Sequence, residues 1–324
     1  MHTNKKILEV KELVAEMPTE KGILHIINGV SFTVRENECF GIIGESGCGK
    51  TMTSMAILRY SDRLGLKAVQ GEIRYRGEDV LQFSKKCLRE YNGHEAAIIL
   101  QDPMAALDPL YTVKSQMIET IRKHQKVSKK EAEQIMRETA KKLSIAEEKL
   151  ICYPHQLSGG MLQRIVGAMV VCCKPKLIIA DEPTTALDVT IQLQYLKLLK
   201  QIQKEYHTSI IFISHDIKVI SMMCDRIAVM YAGEIVESGT RDEIFYHPQH
   251  PYTKALFQAA SLDGVIQNEY KTIEGTPPDL HQCIPGCPFA DRCIYCEDRC
   301  RAHKPENINL SDKHQVKCWR CLDE

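Results

Sequence analysis

The chain has 324 residues, of which 44% are hydrophobic, enough for one large folded domain or two ordinary ones. Lysine plus arginine and aspartate plus glutamate both number 42, so the zero net charge excludes a global field that attracts nucleic acid or an anionic membrane. The longest apolar run, residues 165–173, is about half of a membrane-spanning helix, and charges interrupt the opening segment before a secretion signal can form. We therefore expect a folded chain without a signal or spanning helix.

Short apolar runs alternate with helical patterns along the chain. The runs are rich in β-branched residues, as buried parallel strands with crossover helices are, and they occupy residues 38–43, 96–100, 176–180, 209–214 and 226–230. Helical segments follow the runs at 176–180 and 209–214. In the first of these segments, apolar residues at helical spacing predict one buried helix face, formed by Tyr195, Leu198, Leu199, Ile202 and Tyr206. The pattern predicts an α/β fold.

Two segments depart from this alternation. Residues from about 105 to 165 contain no strand-like run, and Ser128 and Glu131 have the spacing of a capping box, so we predict a helical subdomain there. After residue 260, two prolines and a cysteine-rich stretch without sustained period indicate a boundary. We predict a core domain over 1–260 and a loop-rich, cysteine-rich extension over 261–324.

The sequence GESGCGKT directly follows the first apolar run and matches the phosphate-loop pattern G-x-x-x-x-G-K-[ST]. Glycines let successive N–H groups point at phosphate, and the next helix adds its positive N-terminus. We expect Lys50 to hold the β and γ phosphates of a nucleotide and the Thr51 hydroxyl to bind Mg²⁺. The predicted nucleotide-binding residues are Gly44, Glu45, Ser46, Gly47, Cys48, Gly49, Lys50 and Thr51.

The sequence KLIIADEP supplies two acids after a buried strand. We expect Asp181 to bind Mg²⁺ directly or through water, and Glu182 to polarise the attacking water as general base. Two such acids alone more often cap a helix. Their pairing with a phosphate loop favours catalysis.

Between these motifs lies LSGGMLQR, residues 157–164, and here the chain resembles the ATP-binding cassette (ABC) family. The resemblance implies that Ser158, Gly159, Gly160 and Met161 form a signature that contacts ATP bound by a second cassette. It also implies Gln101 as the Q-loop ligand of ATP and Mg²⁺, Asp188 with Ala186 and Leu187 as the D-loop, and His215 as the switch histidine on the γ-phosphate. The residue expected to stack on adenine is aromatic in similar proteins and is Met17 here.

Beyond the cassette, residues 246–259, EGTPPDL (274–280) and GCPFADRC (286–293) resemble the C-terminal extension of ATPase subunits in dipeptide and oligopeptide importers. The resemblance implies a [4Fe–4S] cluster on Cys287, Cys293, Cys300 and Cys318. Zn²⁺ in a four-cysteine site and free reduced thiols are the alternatives, since sulfur ligands suit both metals. Cys283, Cys296 and Cys321 lie outside the implied ligand set.

The predicted function is an ATP-hydrolysing subunit that drives a dipeptide or oligopeptide importer. The resemblance implies a second ATPase subunit, expected to be a different chain, two transmembrane permease subunits and, indirectly, an extracytoplasmic solute-binding protein. It places the chain peripherally on the cytoplasmic face of the cell membrane, with no nucleic-acid partner. Alternatives are import of nickel or a metal chelate, and a soluble non-transport ABC ATPase acting on DNA or ribosomes.

Overall fold

The computed structural model describes residues 5–185, 187–260 and 273–323. Its strands are β1 (Lys6–Thr19), β2 (Gly22–Arg35), β3 (Cys39–Ile43), β4 (Lys67–Tyr75), β5 (Glu78–Asp79), β6 (Ala96–Ile99), β7 (Leu177–Asp181), β8 (Ser209–Ile213), β9 (Arg226–Tyr231), β10 (Glu234–Thr240), β11 (Ile308–Asn309) and β12 (Gln315–Val316). Its α-helices are α1 (Lys50–Ile57), α2 (Ser61–Leu64), α3 (Lys85–Glu90), α4 (Val113–Gln125), α5 (Lys129–Lys142), α6 (Glu147–Leu150), α7 (Gly159–Cys172), α8 (Val189–Tyr206), α9 (Ile217–Met223), α10 (Arg241–Tyr246), α11 (Pro251–Ala260), α12 (Asp298–Ala302) and α13 (Arg320–Asp323).

The apolar runs predicted as strands are the strands β3, β6, β7, β8 and β9. The predicted helix between β7 and β8 is α8, in which Tyr195, Leu199 and Ile202 are buried as expected. Leu198 and Tyr206 are only half-buried, and Leu196 takes a core position instead. The α/β prediction is therefore confirmed, with a small rotation of the helix face.

Backbone contacts group the chain into two compact units. The first unit comprises the described residues within 1–5, 35–38 and 82–212, and the second unit those within 6–34, 39–81 and 213–324.

The first unit combines parallel strands with helices. Strands follow the order β8, β7, β6, and β6 runs parallel to β7 with Ala96 beside Leu177 and Ile99 beside Ala180. No strand occurs between β6 and β7, where α4 to α7 lie. The capping box that opens α5 is present, because the Ser128 and Glu131 side chains each bond the other's backbone N–H.

The second unit contains strands of two sheets. One is antiparallel and has the order β2, β1, β4, β5. In the other, β3 runs parallel to β9, while β10 and β12 continue the sheet in antiparallel order and β11 ends it. All residues of β3 are buried, so the loop that follows it starts from a rigid position.

The described part of the C-terminal extension belongs to this second unit and pairs with its strand β10. Val316 of β12 pairs with Glu237 of β10, and the Lys317 N–H donates to the Val236 carbonyl oxygen at 2.8 Å. Glu237 is 1% exposed, and its carboxylate accepts the backbone N–H of His250 at 3.0 Å. The predicted boundary after residue 260 adjoins residues 261–272, outside the described residues, and stays a prediction.

Among the helices of the described ranges, none is both long enough and apolar enough to cross a membrane.

Candidate functional site

The loop Gly44–Thr51, here called the phosphate loop, joins the buried strand β3 to helix α1 in the second unit. Gly44 has φ +155°, and a Cβ there would lie 2.1 Å from the Met230 carbonyl oxygen. Gly49 has φ +106°, and its Cβ would lie 2.8 Å from the Ile26 carbonyl oxygen. These approaches to backbone admit only glycine, so the sequence pattern reflects real steric limits.

Lys50 closes the phosphate loop from inside. Its Nζ donates to the carbonyl oxygens of Gly44 at 2.9 Å and Glu45 at 2.8 Å, and the residue is only 6% exposed. The buried ammonium therefore draws both ends of the loop together. Burial raises the pKa of the neighbouring Cys48 thiol, and the positive charge of Lys50 partly offsets that rise.

Glu45 is held by residues that sequence reasoning missed. Its backbone N–H donates to the Tyr252 hydroxyl oxygen at 2.9 Å. Its carboxylate accepts two hydrogen bonds from Arg292, at 2.7 and 3.1 Å. Arg292 lies within the segment GCPFADRC, which the sequence analysis singled out. No sequence pattern, however, connects Arg292 to the phosphate loop about 250 residues earlier.

Asp181 and Glu182 lie at the carboxyl end of β7 in the first unit. Asp181 is 3% exposed. Glu182 has φ +47°, a left-handed conformation that a non-glycine residue adopts at a cost, and its carboxylate accepts the Thr185 hydroxyl at 2.9 Å. Both acids therefore lie where the buried strand β7 ends.

The signature segment, residues 157–164, places Ser158 at the N-cap of α7 in the first unit. Ser158 and Gly159 are exposed, and the Ser158 side chain makes no capping hydrogen bond. A Cβ on Gly160 would lie 3.2 Å from Ile191 Cγ2, so Gly160 allows α7 to approach α8. Met161, the next residue, is half-buried. The segment presents open backbone N–H groups at a helix N-terminus.

The remaining predicted residues lie at strand ends and helix starts. Gln101 is exposed shortly after β6, and Asp188 caps α8 by accepting the N–H groups of Thr190 and Ile191, both at 3.0 Å. His215 is exposed, two residues after β8. Ala186 of the predicted D-loop lies outside the described residues.

The predicted site residues therefore fall into two groups. The phosphate loop and His215 belong to the second unit, and the other predicted ATP-site residues belong to the first: Gln101, Ser158, Gly159, Gly160, Met161, Asp181, Glu182 and Asp188. Met17, at the position expected to stack on adenine, is half-buried near the end of β1.

Each of the three predicted Mg²⁺ ligands carries an oxygen donor. Thr51 offers an exposed hydroxyl in the first turn of α1, Gln101 an exposed amide oxygen, and Asp181 a carboxylate. Mg²⁺ takes oxygen ligands of these kinds together with nucleotide phosphates. The chemistry of these residues is thus compatible with Mg²⁺.

The cysteine site of the extension is not confirmed. Within residues 5–185, 187–260 and 273–323, no group of three or more His, Cys, Asp or Glu side chains is arranged to hold a metal ion. The thiols are nonetheless close enough to interact: burial raises the pKa of Cys287 to about 12, and Cys300, Cys318 and Cys293 add to that rise. Conversely, a hydrogen bond from Cys321 lowers the pKa of Cys318 to about 7.

Comparisons with known proteins agree with the sequence motifs. The family model "ABC transporter" matches residues 27–185, and "Oligopeptide/dipeptide transporter, C-terminal region" matches residues 236–300. The dipeptide transport ATP-binding protein DppD of Bacillus subtilis is 45% identical over 97% of this chain and 94% of its own length. The oligopeptide transport ATP-binding protein OppD of the same organism is 44% identical over 97% of this chain and 88% of its own.

Solved structures show the same fold. A dimeric post-hydrolysis state of an ATP-binding cassette bound to ADP and Pi matches with a TM-score of 0.66 and 24% identity, over 72% of this chain and 98% of that one. The cbiO1 protein of Clostridium perfringens, part of an ABC transporter complex, matches with a TM-score of 0.64 and 26% identity, over 82% and 99%. The predictions of a cassette fold and an ABC-type ATPase are confirmed. The chain belongs to the ABC transporter family of ATP-binding proteins and carries the C-terminal region of its oligopeptide/dipeptide branch.

Proposed function

We propose that the chain is the ATP-hydrolysing subunit of an ABC importer for dipeptides or oligopeptides. The observation that carries the proposal is the combination, in one chain, of a phosphate loop closed by Lys50 with the extension matched to oligopeptide/dipeptide transporters. The names of the DppD and OppD relatives support the same cargo class.

ATP binding begins at the phosphate loop. Lys50 exchanges its two carbonyl partners for the β and γ phosphates, and the N–H groups of the glycine-rich turn point at the same charge. Thr51, Gln101 and Asp181 are the proposed ligands of Mg²⁺, which when bound neutralises phosphate charge. His215 is proposed to contact the γ-phosphate.

Hydrolysis is assigned to Glu182 as general base. Its carboxylate accepts the proton of the attacking water while the strained backbone holds it at the end of β7. Ser158, Gly159, Gly160 and Met161 are proposed to bind ATP carried by the second cassette, with Asp188 beside that junction. Hydrolysis then requires both cassettes, and its energy is passed to the membrane partners by closing and reopening the pair.

The proposed assembly contains this chain, a second ATPase subunit of different sequence and two transmembrane permease subunits. A solute-binding protein delivers the peptide to the permeases on the other side of the membrane. The chain is then peripheral, on the cytoplasmic face of the cell membrane, and takes no part in nucleic-acid binding.

A [4Fe–4S] cluster on Cys287, Cys293, Cys300 and Cys318, with Zn²⁺ as the alternative, stays a proposal for the extension. Mutual electrostatic effects among these thiols support a common site, whereas no side-chain group of the described residues is arranged around a metal position. We therefore assign no step of hydrolysis to a metal centre there. Iron and sulfide of about four each per chain in anaerobically purified protein are the expected result. Stoichiometric zinc without visible absorbance contradicts the cluster.

Reconstitution tests the proposed function. The ATPase pair and its permeases are placed in liposomes with the solute-binding protein, and uptake of labelled dipeptide and oligopeptide is measured with ATP hydrolysis. We expect peptide-stimulated hydrolysis and uptake, both lost with Lys50→Ala. Uptake of a nickel chelate but no peptide, or hydrolysis independent of the permeases, contradicts the proposal.

A further inference from the structure

We propose that Arg292 of the C-terminal extension is a positioning residue for ATP binding: it fixes Glu45, and through Glu45 the phosphate loop, in the geometry that binds MgATP. The inference rests on the proposed ATP site and adds a residue outside the cassette motifs. Arg292 and Glu45 both belong to the second unit.

Every N–H donor of the Arg292 guanidinium has a partner. One terminal nitrogen donates to Glu45 at 2.7 Å and the Tyr231 hydroxyl at 3.2 Å; the other donates to Glu45 and the Ile273 carbonyl oxygen, both at 3.1 Å. The Nε–H donates to the Glu274 carbonyl oxygen at 2.9 Å. A guanidinium has five such donors in a fixed plane, so this set of partners defines a single orientation.

Burial further restricts the Arg292 guanidinium to this orientation. The Arg292 side chain is 5% exposed and the Glu45 side chain 25% exposed. Removing a charge from water is costly unless its hydrogen bonds are complete, as they are here. The guanidinium also lies 5.8 Å from the Tyr231 ring centroid and 5.9 Å from that of Phe289, which closes the remaining side.

Glu45 is also fixed through its backbone. Its N–H donates to the Tyr252 hydroxyl oxygen, and Tyr252 is fully buried with its ring 4.5 Å from that of Tyr231 and 5.3 Å from that of Phe289. Its carbonyl oxygen accepts Lys50 Nζ at 2.8 Å. The contacts thus run without interruption from Arg292 to Glu45 to the lysine that binds phosphate.

This chain of contacts distinguishes positioning from mere attachment of the extension. If Glu45 moves, the start of the phosphate loop moves with it, and the preformed turn of phosphate-binding N–H groups loosens. MgATP binding then weakens, because part of the binding free energy is used to order the N–H donors of the phosphate loop. The expected defect is in affinity for MgATP, with the chemical step after binding largely retained.

The test compares Arg292→Gln and Arg292→Lys with Arg301→Gln in the full chain within the assembled transporter. Arg301 also lies in the extension, but its side chain is exposed and pairs with Asp291 on the surface. We expect Arg292→Gln to raise the KM for ATP about tenfold, because that factor corresponds to the loss of about one charge-assisted hydrogen bond. The same variant should change kcat less than threefold. Arg292→Lys, which cannot make the paired contact, should raise KM by a smaller factor, and Arg301→Gln should leave both constants unchanged.

Glu45→Gln and the double variant complete the test. The double variant should raise the KM for ATP no more than the stronger single variant does, because the two substitutions remove the same contact, the one between Arg292 and Glu45. An unchanged KM in Arg292→Gln, or fully multiplicative KM effects, overturns the inference. If Arg292→Gln does not fold, Arg292→Lys decides by the same criteria. Failure of the wild-type chain to bind MgATP at all instead contradicts the proposed function.

Discussion

The phosphate loop and the signature segment both place glycines at the start of a helix, yet they are built in opposite ways. In the phosphate loop, a Cβ on Gly44 or Gly49 would meet neighbouring backbone, and Lys50 bonds the loop from inside. In the signature segment, none of the described residues beyond its chain neighbours and its own helix lies within 4 Å of where a Cβ on Gly159 would be, and the Ser158 side chain makes no capping hydrogen bond. The phosphate loop is therefore closed by its own chain, whereas the start of the signature segment is open, as the proposed contact with ATP from a second cassette requires.

Gly44→Ala should have the largest effect, because it places a Cβ 2.1 Å from the Met230 carbonyl oxygen in a backbone conformation unsuited to alanine. We expect the free energy of unfolding to fall by about 3 kcal/mol, and MgATP binding to be lost. Chemical denaturation and equilibrium binding measure the two effects. Near-normal stability and affinity would show that the phosphate loop is as open as the signature segment.

A pH series should produce the next largest effect, through the segment that supports the phosphate loop. His250 is 1% exposed, its Nδ1 accepts the Tyr252 N–H at 3.0 Å, and burial lowers its pKa from 6.5 to about 4. The unfolded chain takes up a proton below pH 6.5 and the folded His250 does not. Unfolding free energy should therefore fall as pH decreases from about 6.5 to about 4, by up to about 3 kcal/mol.

Two substitutions isolate the contribution of His250 in urea denaturation between those pH values. His250→Asn, whose amide oxygen replaces the Nδ1 acceptor, should flatten the pH dependence. His303→Asn, at an exposed position, should keep the wild-type slope. Identical slopes in both variants contradict the assignment to His250.

Gly159→Ala should have the smallest effect on the isolated chain. Open space surrounds the new Cβ, so we expect stability and MgATP binding to change by less than about 0.5 kcal/mol. Gly160→Ala is the matched variant, and should lower stability more because its Cβ meets Ile191. In the assembled transporter, Gly159→Ala should slow hydrolysis; a wild-type rate there would mean that the open segment does not receive ATP.

Local patterns predicted the short, fully apolar strands, whereas irregular strand pairing concealed others. β3, β6, β7, β8 and β9 are short apolar runs and were readable as such. β1 was missed because Glu12 has φ +44° and the register shifts between Lys11 and Val14, which breaks the alternation that identifies a half-buried strand. One of the strands beside β1 is β4, which is not the next strand along the chain, and no sequence pattern indicated that the two strands pair.

The candidate site, like the strands, was predictable only where its residues form a local sequence pattern. Motifs identified the residues of the phosphate loop and the acids after β7, because those residues are contiguous in sequence. Arg292 and Tyr252 reach Glu45 across more than 200 positions, and only the folded chain brings them to the phosphate loop. The cysteine spacing of the extension suggested a metal site, and spacing alone does not fix how side chains converge.

Hydrolysis by Glu182→Gln tests the central claim, that this chain binds ATP and uses Glu182 to activate water. ATP turnover by the assembled transporter and MgATP affinity are measured for the variant and the wild type. We predict turnover lower by about a hundredfold or more with affinity retained, since the amide cannot accept the water proton. Turnover at the wild-type rate would contradict the account.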